Sequence, residues 1–169
     1  NFLFGQYLPM LNEPKVPDAP AEVLDKAMWP YMWYRDHYWD RVDFADARLV
    51  RDGAFDQLIS RYWAKVLPQM PDTMIAEGPK LLKKALDTGN QDMFKYMLHH
   101  MTYTRESSNI MCMDKVFVDL VNTYYRTGLV EWLSEEQMDT IVGLADDLRH
   151  SLCGTQVPDI TLPGLHQSE

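Results

Sequence analysis

The spacing of apolar side chains along most of the chain is that of amphipathic helices. Apolar residues recur every three or four positions over long stretches, and this spacing places them on one face of a helix. The clearest stretch ends at Pro68 and contains Phe55, Leu58, Ile59, Tyr62, Trp63 and Val66. The same reasoning predicts six helices, at about 21–39, 55–66, 71–88, 91–105, 114–127 and 134–152.

Several residues mark where these helices begin or bend. Pro30 lies inside the first pattern and predicts a kink or a restart near Trp29, because proline restricts the residue before it. Asp114 is a suitable N-cap for the fifth helix. Ser134, followed three positions later by Gln137, predicts a capping box at the start of the sixth.

These patterns divide the chain into three parts. Residues 1–20 hold four prolines and are expected to form an extended arm or linker. Residues 21–153 form the helical domain, and Gly154 ends its last helix. Residues 154–169 are interpreted as a linker or as the first strand of a following domain. The expected fold is all-α, with about six helices in one compact bundle or array.

Composition agrees with a packed globular domain and excludes some partners. The chain has 169 residues, of which 46% are hydrophobic, and a net charge of −9. A domain of this size can be stable through packing alone. Nucleic acid is an unfavoured partner, because its binding normally requires a basic face. No apolar run is long enough to span a membrane, and no motif for a cofactor is present.

The two cysteines, Cys112 and Cys153, lie 41 positions apart and belong to no CxxC motif. Two buried free thiols are the favoured interpretation. In an oxidising compartment a single disulfide is the alternative.

The segment from Trp29 to Asp40 is the most aromatic of the chain. We expect its rings to pack beneath the other helices, because soluble proteins rarely expose large apolar patches. The alternative is a module that binds a peptide or glycan on exposed rings. That alternative requires several rings to lie open in one concave patch.

Acidic residues follow this aromatic segment closely. Together with His37 they could be interpreted as a metal-dependent hydrolase site, but their spacing lacks the glycine and the closing glutamate of a calcium loop. We expect them instead to cap helices and to pair with nearby arginines. The residues concerned are Asp36, His37, Asp40, Asp43 and Asp46. His99 and His100 are neighbours on a helix and cannot reach one metal together.

Five short motifs occur in an order that resembles a known family. They are Trp39-Asp40, Asp43-Phe44-Ala45-Asp46, Pro71-Asp72-Thr73, Met111-Cys112-Met113-Asp114 and the segment from Gly154 to Asp159. The chain resembles the DUF5106-type helical region found upstream of the thioredoxin-like (AhpC/TSA-type) domain in exported thiol-disulfide oxidoreductases of Bacteroidetes. Cys112 departs from the pattern, since the family typically has glycine there.

This resemblance implies a helical accessory domain without chemistry of its own. The family's redox activity belongs to a CxxC in the downstream domain, which would be this chain's partner in the same polypeptide. A client protein or a second copy are further candidate partners, no cofactor is implied, and the location would be periplasmic or at the outer membrane. The candidate docking or motif residues are Trp33, His37, Trp39, Asp40, Asp43, Phe44, Asp46, Asp114 and Trp132.

Overall fold

The computed structural model describes residues 12–156, and this part of the chain contains helices and turns but no strand. The predicted all-α fold with six helices is confirmed. The α-helices are α1 (Trp29–Asp36), α2 (Gly53–Arg61), α3 (Pro71–Thr88), α4 (Gln91–Glu106), α5 (Asp114–Leu120) and α6 (Glu135–Arg149). A 3-10 helix, Ala47–Arg51, precedes α2.

The first predicted helix is too long, since residues 21–28 form turns. The side chain of Asp25 accepts hydrogen bonds from the backbone amides of Ala27 and Met28, both at 3.1 Å. Aspartate that bonds its own backbone in this way favours a turn over a helix. The helix begins only at Trp29, with Pro30 in its first turn, so the predicted restart is confirmed.

Two helices end in a wider, π-helical turn. Tyr62–Val66 continues α2, and Val121–Tyr125 continues α5. In both turns the closing amide bonds a carbonyl five residues earlier, with Leu67 N–H donating to Tyr62 and Arg126 N–H donating to Val121. Each turn contains a pair of buried aromatic residues, Tyr62 and Trp63 in the first and Tyr124 and Tyr125 in the second.

The centre of the bundle is formed by α3, α4 and α5, which pack against one another. The absence of a side chain at Gly78 of α3 allows close packing, since an added Cβ would lie 3.3 Å from Met101 Cε and 3.4 Å from a ring carbon of Trp63. The largest completely buried side chains come from these helices, from α2 and its π-helical turn, and from the 3-10 helix. They include Trp63, Phe55, Phe94, Phe117, Leu49, Ile59, Met74, Leu82 and Met97.

The helix α6 packs against α5 and its π-helical turn. Its capping box is confirmed, with Ser134 Oγ accepting from the amide of Gln137 and Gln137 Oε1 accepting from the amide of Ser134. The N-cap predicted at Asp114 is wrong. Met113 occupies the N-cap position, with helical backbone angles and no side-chain hydrogen bond, and Asp114 is the first residue of the helix. The Asp114 carboxylate accepts from the amide of Lys115.

The described part of the proline-rich arm lies against α1 and α2. The indole of Trp29 donates to the carbonyl of Pro17 at 3.1 Å, and Glu13 pairs with Arg61. At the other end, Gly154 has φ +85° and stops the turn after α6. The predicted strand from Val157 onward lies outside the described residues.

Candidate functional site

The aromatic segment points partly into the core and partly along the surface. Tyr38 and Trp39 are buried, whereas Trp33 and Tyr34 are half-buried. Trp33 stacks on His37 with ring centroids 4.0 Å apart, and the His37 Nδ1 atom lies 2.8 Å from the Trp33 carbonyl oxygen. Tyr38 and Trp39 therefore do not contribute to the open patch of rings that a glycan or peptide module requires.

Trp39 and Phe44 hold the turn after α1 against the bundle. Trp39 is 4% exposed and packs on Phe44, Phe55 and Tyr62, with centroids 5.0–6.4 Å apart. The backbone carbonyl of Phe44 accepts from Asn90 Nδ2 at 2.9 Å. Because Asn90 also caps α4, this contact joins the motif around Phe44 to the central helices.

The acidic residues of this motif serve local structure. Asp46 caps the 3-10 helix by accepting from the amide of Arg48, and it binds the Arg48 guanidinium at 2.6 and 2.7 Å. That hydrogen-bonded guanidinium lowers the pKa of the Asp46 carboxyl. Asp36 pairs with Arg35, and Asp43 accepts from the amide of Ala45. Asp40 is exposed in the turn that follows α1.

A recess of about 310 Å³ lies beside Trp39 and Tyr62, between α1 and α3. Its rim is charged, and two of its ion pairs, Arg35–Asp36 and Lys80–Glu77, are closed at 2.8 Å. Each pair is formed within one helix, so these four charged groups of the rim are already partnered. Exposed pairs of this kind contribute little to stability.

The remaining candidate residues lie elsewhere in the bundle. Asp114 begins α5. Trp132 is half-buried, lies edge-on against Phe94 with centroids 6.0 Å apart, and has Lys95 Nζ 5.7 Å from its ring centre. The structure thus places the nine candidates in at least three locations and does not assemble them into one site.

Arg105 is a buried cation that the sequence pattern did not identify. It is 4% exposed, lies 5.3 Å from the Trp63 ring centre, and donates to Gln69 Oε1 at 3.0 Å and to the Trp63 carbonyl at 3.3 Å. Burial lowers its pKa. Its guanidinium thereby supplies hydrogen-bond donors at the π-helical turn that ends α2, where backbone carbonyls lack helical partners.

The cysteines form a disulfide, with Cα atoms 5.5 Å apart. The favoured interpretation as two buried free thiols is wrong. Cys153 is exposed and Cys112 half-buried, because the turn between α4 and α5 meets the end of α6 at the surface. A helical pattern gives no signal for such a meeting. We call Ile110, Met111, Cys112 and Cys153 the disulfide corner.

The disulfide corner also exposes apolar side chains. Ile110 is 47% exposed and Met111 is 83% exposed. Cys112 has φ +69°, in the left-handed region that glycine adopts readily. This backbone conformation gives a physical reason for the glycine expected at this position.

Fold and surface together define an all-α domain whose last helix is fastened by a surface disulfide. Among residues 12–156, no three His, Cys, Asp or Glu side chains are placed to hold a metal ion. None of the helices in that range combines the length and apolar character that crossing a bilayer needs.

The chain belongs to the DUF5106 family, a domain of unknown function, whose family model matches residues 6–147. The match includes all the central helices and ends before Cys153. Neither a curated protein nor a solved structure matches the chain.

Proposed function

We propose that this chain is a non-catalytic accessory domain of an exported thiol-disulfide oxidoreductase and that its disulfide corner docks the thioredoxin-like domain that follows it. The observation that carries the proposal is the exposure of Ile110 and Met111 beside the point where the chain leaves the bundle. A domain that follows Gln156 would begin within a few residues of this apolar surface.

Two other observations support this role. The disulfide is compatible with the oxidising compartment that an exported protein enters. Trp39, Phe44 and Asp46, which carry much of the resemblance, pack and cap the bundle instead of meeting at a reactive centre. Their role in the proposal is structural, since they stabilise the bundle that carries the disulfide corner.

The first test is the sequence encoded beyond Glu169. We expect a CxxC motif there, near the start of a helix, because that placement lowers the pKa of a thiol. This chain alone is expected not to accelerate the reduction of insulin by dithiothreitol. A longer polypeptide without a CxxC, or insulin reduction by this chain alone, would contradict the proposal.

The second test measures docking directly by hydrogen exchange. Amides 108–113 should exchange more slowly in the longer polypeptide than in this chain, and Met111→Asp should remove that protection. Leu24→Asp is the matched control, since Leu24 is fully exposed in a turn far along the chain from the disulfide corner. Protection that depends on protein concentration in this chain would instead indicate a homodimer. Protection acquired only on adding a client would assign the surface to client binding.

A further inference from the structure

The bond between Cys112 and Cys153 lies at the surface, where an external thiol can reach it. Cys153 is exposed. Its partner, Cys112, lies in a turn next to Met111, which is 83% exposed. We propose that this disulfide is an exchange site for an external dithiol, and that its reduction frees residues 150–156 while the helical bundle stays folded. The proposal does not rest on the accessory role.

Little besides the disulfide fastens the segment after α6. Its described hydrogen bonds are local, from Ser151 to the carbonyl of Leu148 and from the amide of Thr155 to the carbonyl of Leu152. Leu152 alone in this segment packs against the core, and it does so only partly buried. Removing the covalent bond therefore removes the main attachment of residues 150–156 to the turn before α5.

The backbone at Cys112 favours release once the bond is broken. An L-residue is disfavoured in the left-handed region, and the surrounding structure must hold it there. In the oxidised protein the bond to Cys153 helps to hold Cys112 at φ +69°. After reduction, the turn can relax toward an ordinary conformation.

The exchange transfers two electrons from the dithiol to the protein. One reagent thiolate attacks the Sγ atom of Cys153, the protein S–S bond breaks, and Cys112 leaves as a thiolate that takes up a proton. The second thiolate of the reagent then attacks the reagent's other sulfur, which is bonded to Cys153 Sγ in the mixed disulfide. The reagent closes to a disulfide, and Cys153 leaves as a thiolate and is protonated.

The bundle does not need the bond in order to keep its core. The mutual packing of α3, α4 and α5 involves completely buried side chains, such as Met74, Met97 and Phe117, none of which belongs to the disulfide corner. The helix α6 is also held by its capping box and by its contacts with α5. Reduction is therefore expected to open the end of α6 locally and leave the remaining packing intact.

The test uses the whole chain in native buffer with dithiothreitol and then iodoacetamide. We expect mass spectrometry to find both cysteines alkylated, while the near-ultraviolet circular dichroism of the aromatic core is retained. Trypsin should cut after Arg149, at the end of α6, about tenfold faster in the reduced protein.

A double variant provides the control for the reagent itself. Cys112→Gly with Cys153→Ser cannot form the bond, and glycine suits the backbone at residue 112. This variant should be cut after Arg149 at the fast rate with or without dithiothreitol. Alkylation that requires urea, loss of the aromatic signal on reduction, or an unchanged rate of cleavage after Arg149 would each overturn the proposal.

Discussion

At the scale of single residues, Arg105 shows how a buried charge is accommodated without a carboxylate. Its guanidinium donates in two directions, to the side chain of Gln69 and to the carbonyl of Trp63, and it lies over the indole of Trp63. The Trp63 carbonyl belongs to the π-helical turn that ends α2, where the helix dipole is negative, and Gln69 lies in the loop that follows this turn. The planar shape of arginine is therefore required here as well as its charge.

We expect Arg105→Lys to lower the free energy of unfolding by about 1–3 kcal/mol, because a lysine cannot bond both acceptors and leaves a buried polar group unpaired. Urea unfolding followed by tryptophan fluorescence measures this change. Arg126→Lys is the control, since Arg126 pairs with Asp146 at the surface, and its effect should stay within about 0.5 kcal/mol. Equal losses in the two variants would show that the buried contacts do not need a guanidinium.

Cys112 gives a second prediction at this scale. When Cys153→Ser removes the disulfide, serine at position 112 should be as stable as glycine to within about 0.5 kcal/mol, because the turn can then leave the positive φ that the bond helps to hold. Urea unfolding of the two double variants measures the difference directly. If glycine were more stable by about 1 kcal/mol, residue 112 would have kept the left-handed conformation without the bond.

At the scale of helices, local sequence determines the start of α6 more completely than that of α1 or α5. Ser134 and Gln137 bond each other's backbone, so a four-residue pattern is sufficient to begin the helix. The beginning of α5 has no such side-chain cap. Its position depends on tertiary packing of Met113 and Val116, which are both buried.

Ser134→Ala is therefore expected to destabilise the protein by about 1 kcal/mol. The control is Thr140→Ala on the exposed face of the same helix, where alanine has the higher helix propensity and should cause no loss. Thermal unfolding by circular dichroism compares the two variants. A loss at Thr140 as large as that at Ser134 would argue against the cap as the cause.

The helices that the sequence predicted well are those with a continuous 3.6-residue pattern and explicit ends, such as α3 and α4. Gly89 at φ +71° ends α3, and Asn90 caps α4. The turns at residues 21–28 were not predicted, because they depend on hydrogen bonds from the amides of Ala27 and Met28 to the Asp25 side chain. The disulfide and Arg105 depend on contacts between residues about 40 positions apart, which periodicity does not contain. For the candidate residues, burial of Trp39 and Phe44 was predictable, but their separation from Asp114 and Trp132 was not.

At the scale of the whole molecule, burial of tyrosines links stability to alkaline pH. Loss of hydration raises the pKa of Tyr62 to about 12, and burial also raises the pKa of Tyr38 and Tyr96, the latter helped by its hydrogen bond to Asp56. In the unfolded chain these hydroxyls ionise near pH 10. Above that pH the folded state keeps more protons than the unfolded state.

Stability from these groups is accordingly complete below pH 10 and is lost as the pH rises toward 12 and beyond. We expect the melting temperature to fall steeply over this interval, measured by circular dichroism in buffers of equal ionic strength. Tyr62→Phe should make the fall shallower, because the variant lacks one of the hydroxyl protons that the folded state keeps and the unfolded state loses. A slope unchanged by this substitution would mean that Tyr62 ionises equally in the folded and unfolded chains.

The surface disulfide also determines how a mechanical load passes through the domain. Tension applied to the chain beyond Gln156 reaches Cys153 and crosses directly to Cys112, so the 40 residues between them, including α5 and α6, lie outside the loaded path. Reduction would place that whole length under load and allow it to extend by about 140 Å at roughly 3.5 Å per residue. The redox state of one bond thus sets how much of this domain resists a pull from its C-terminal side.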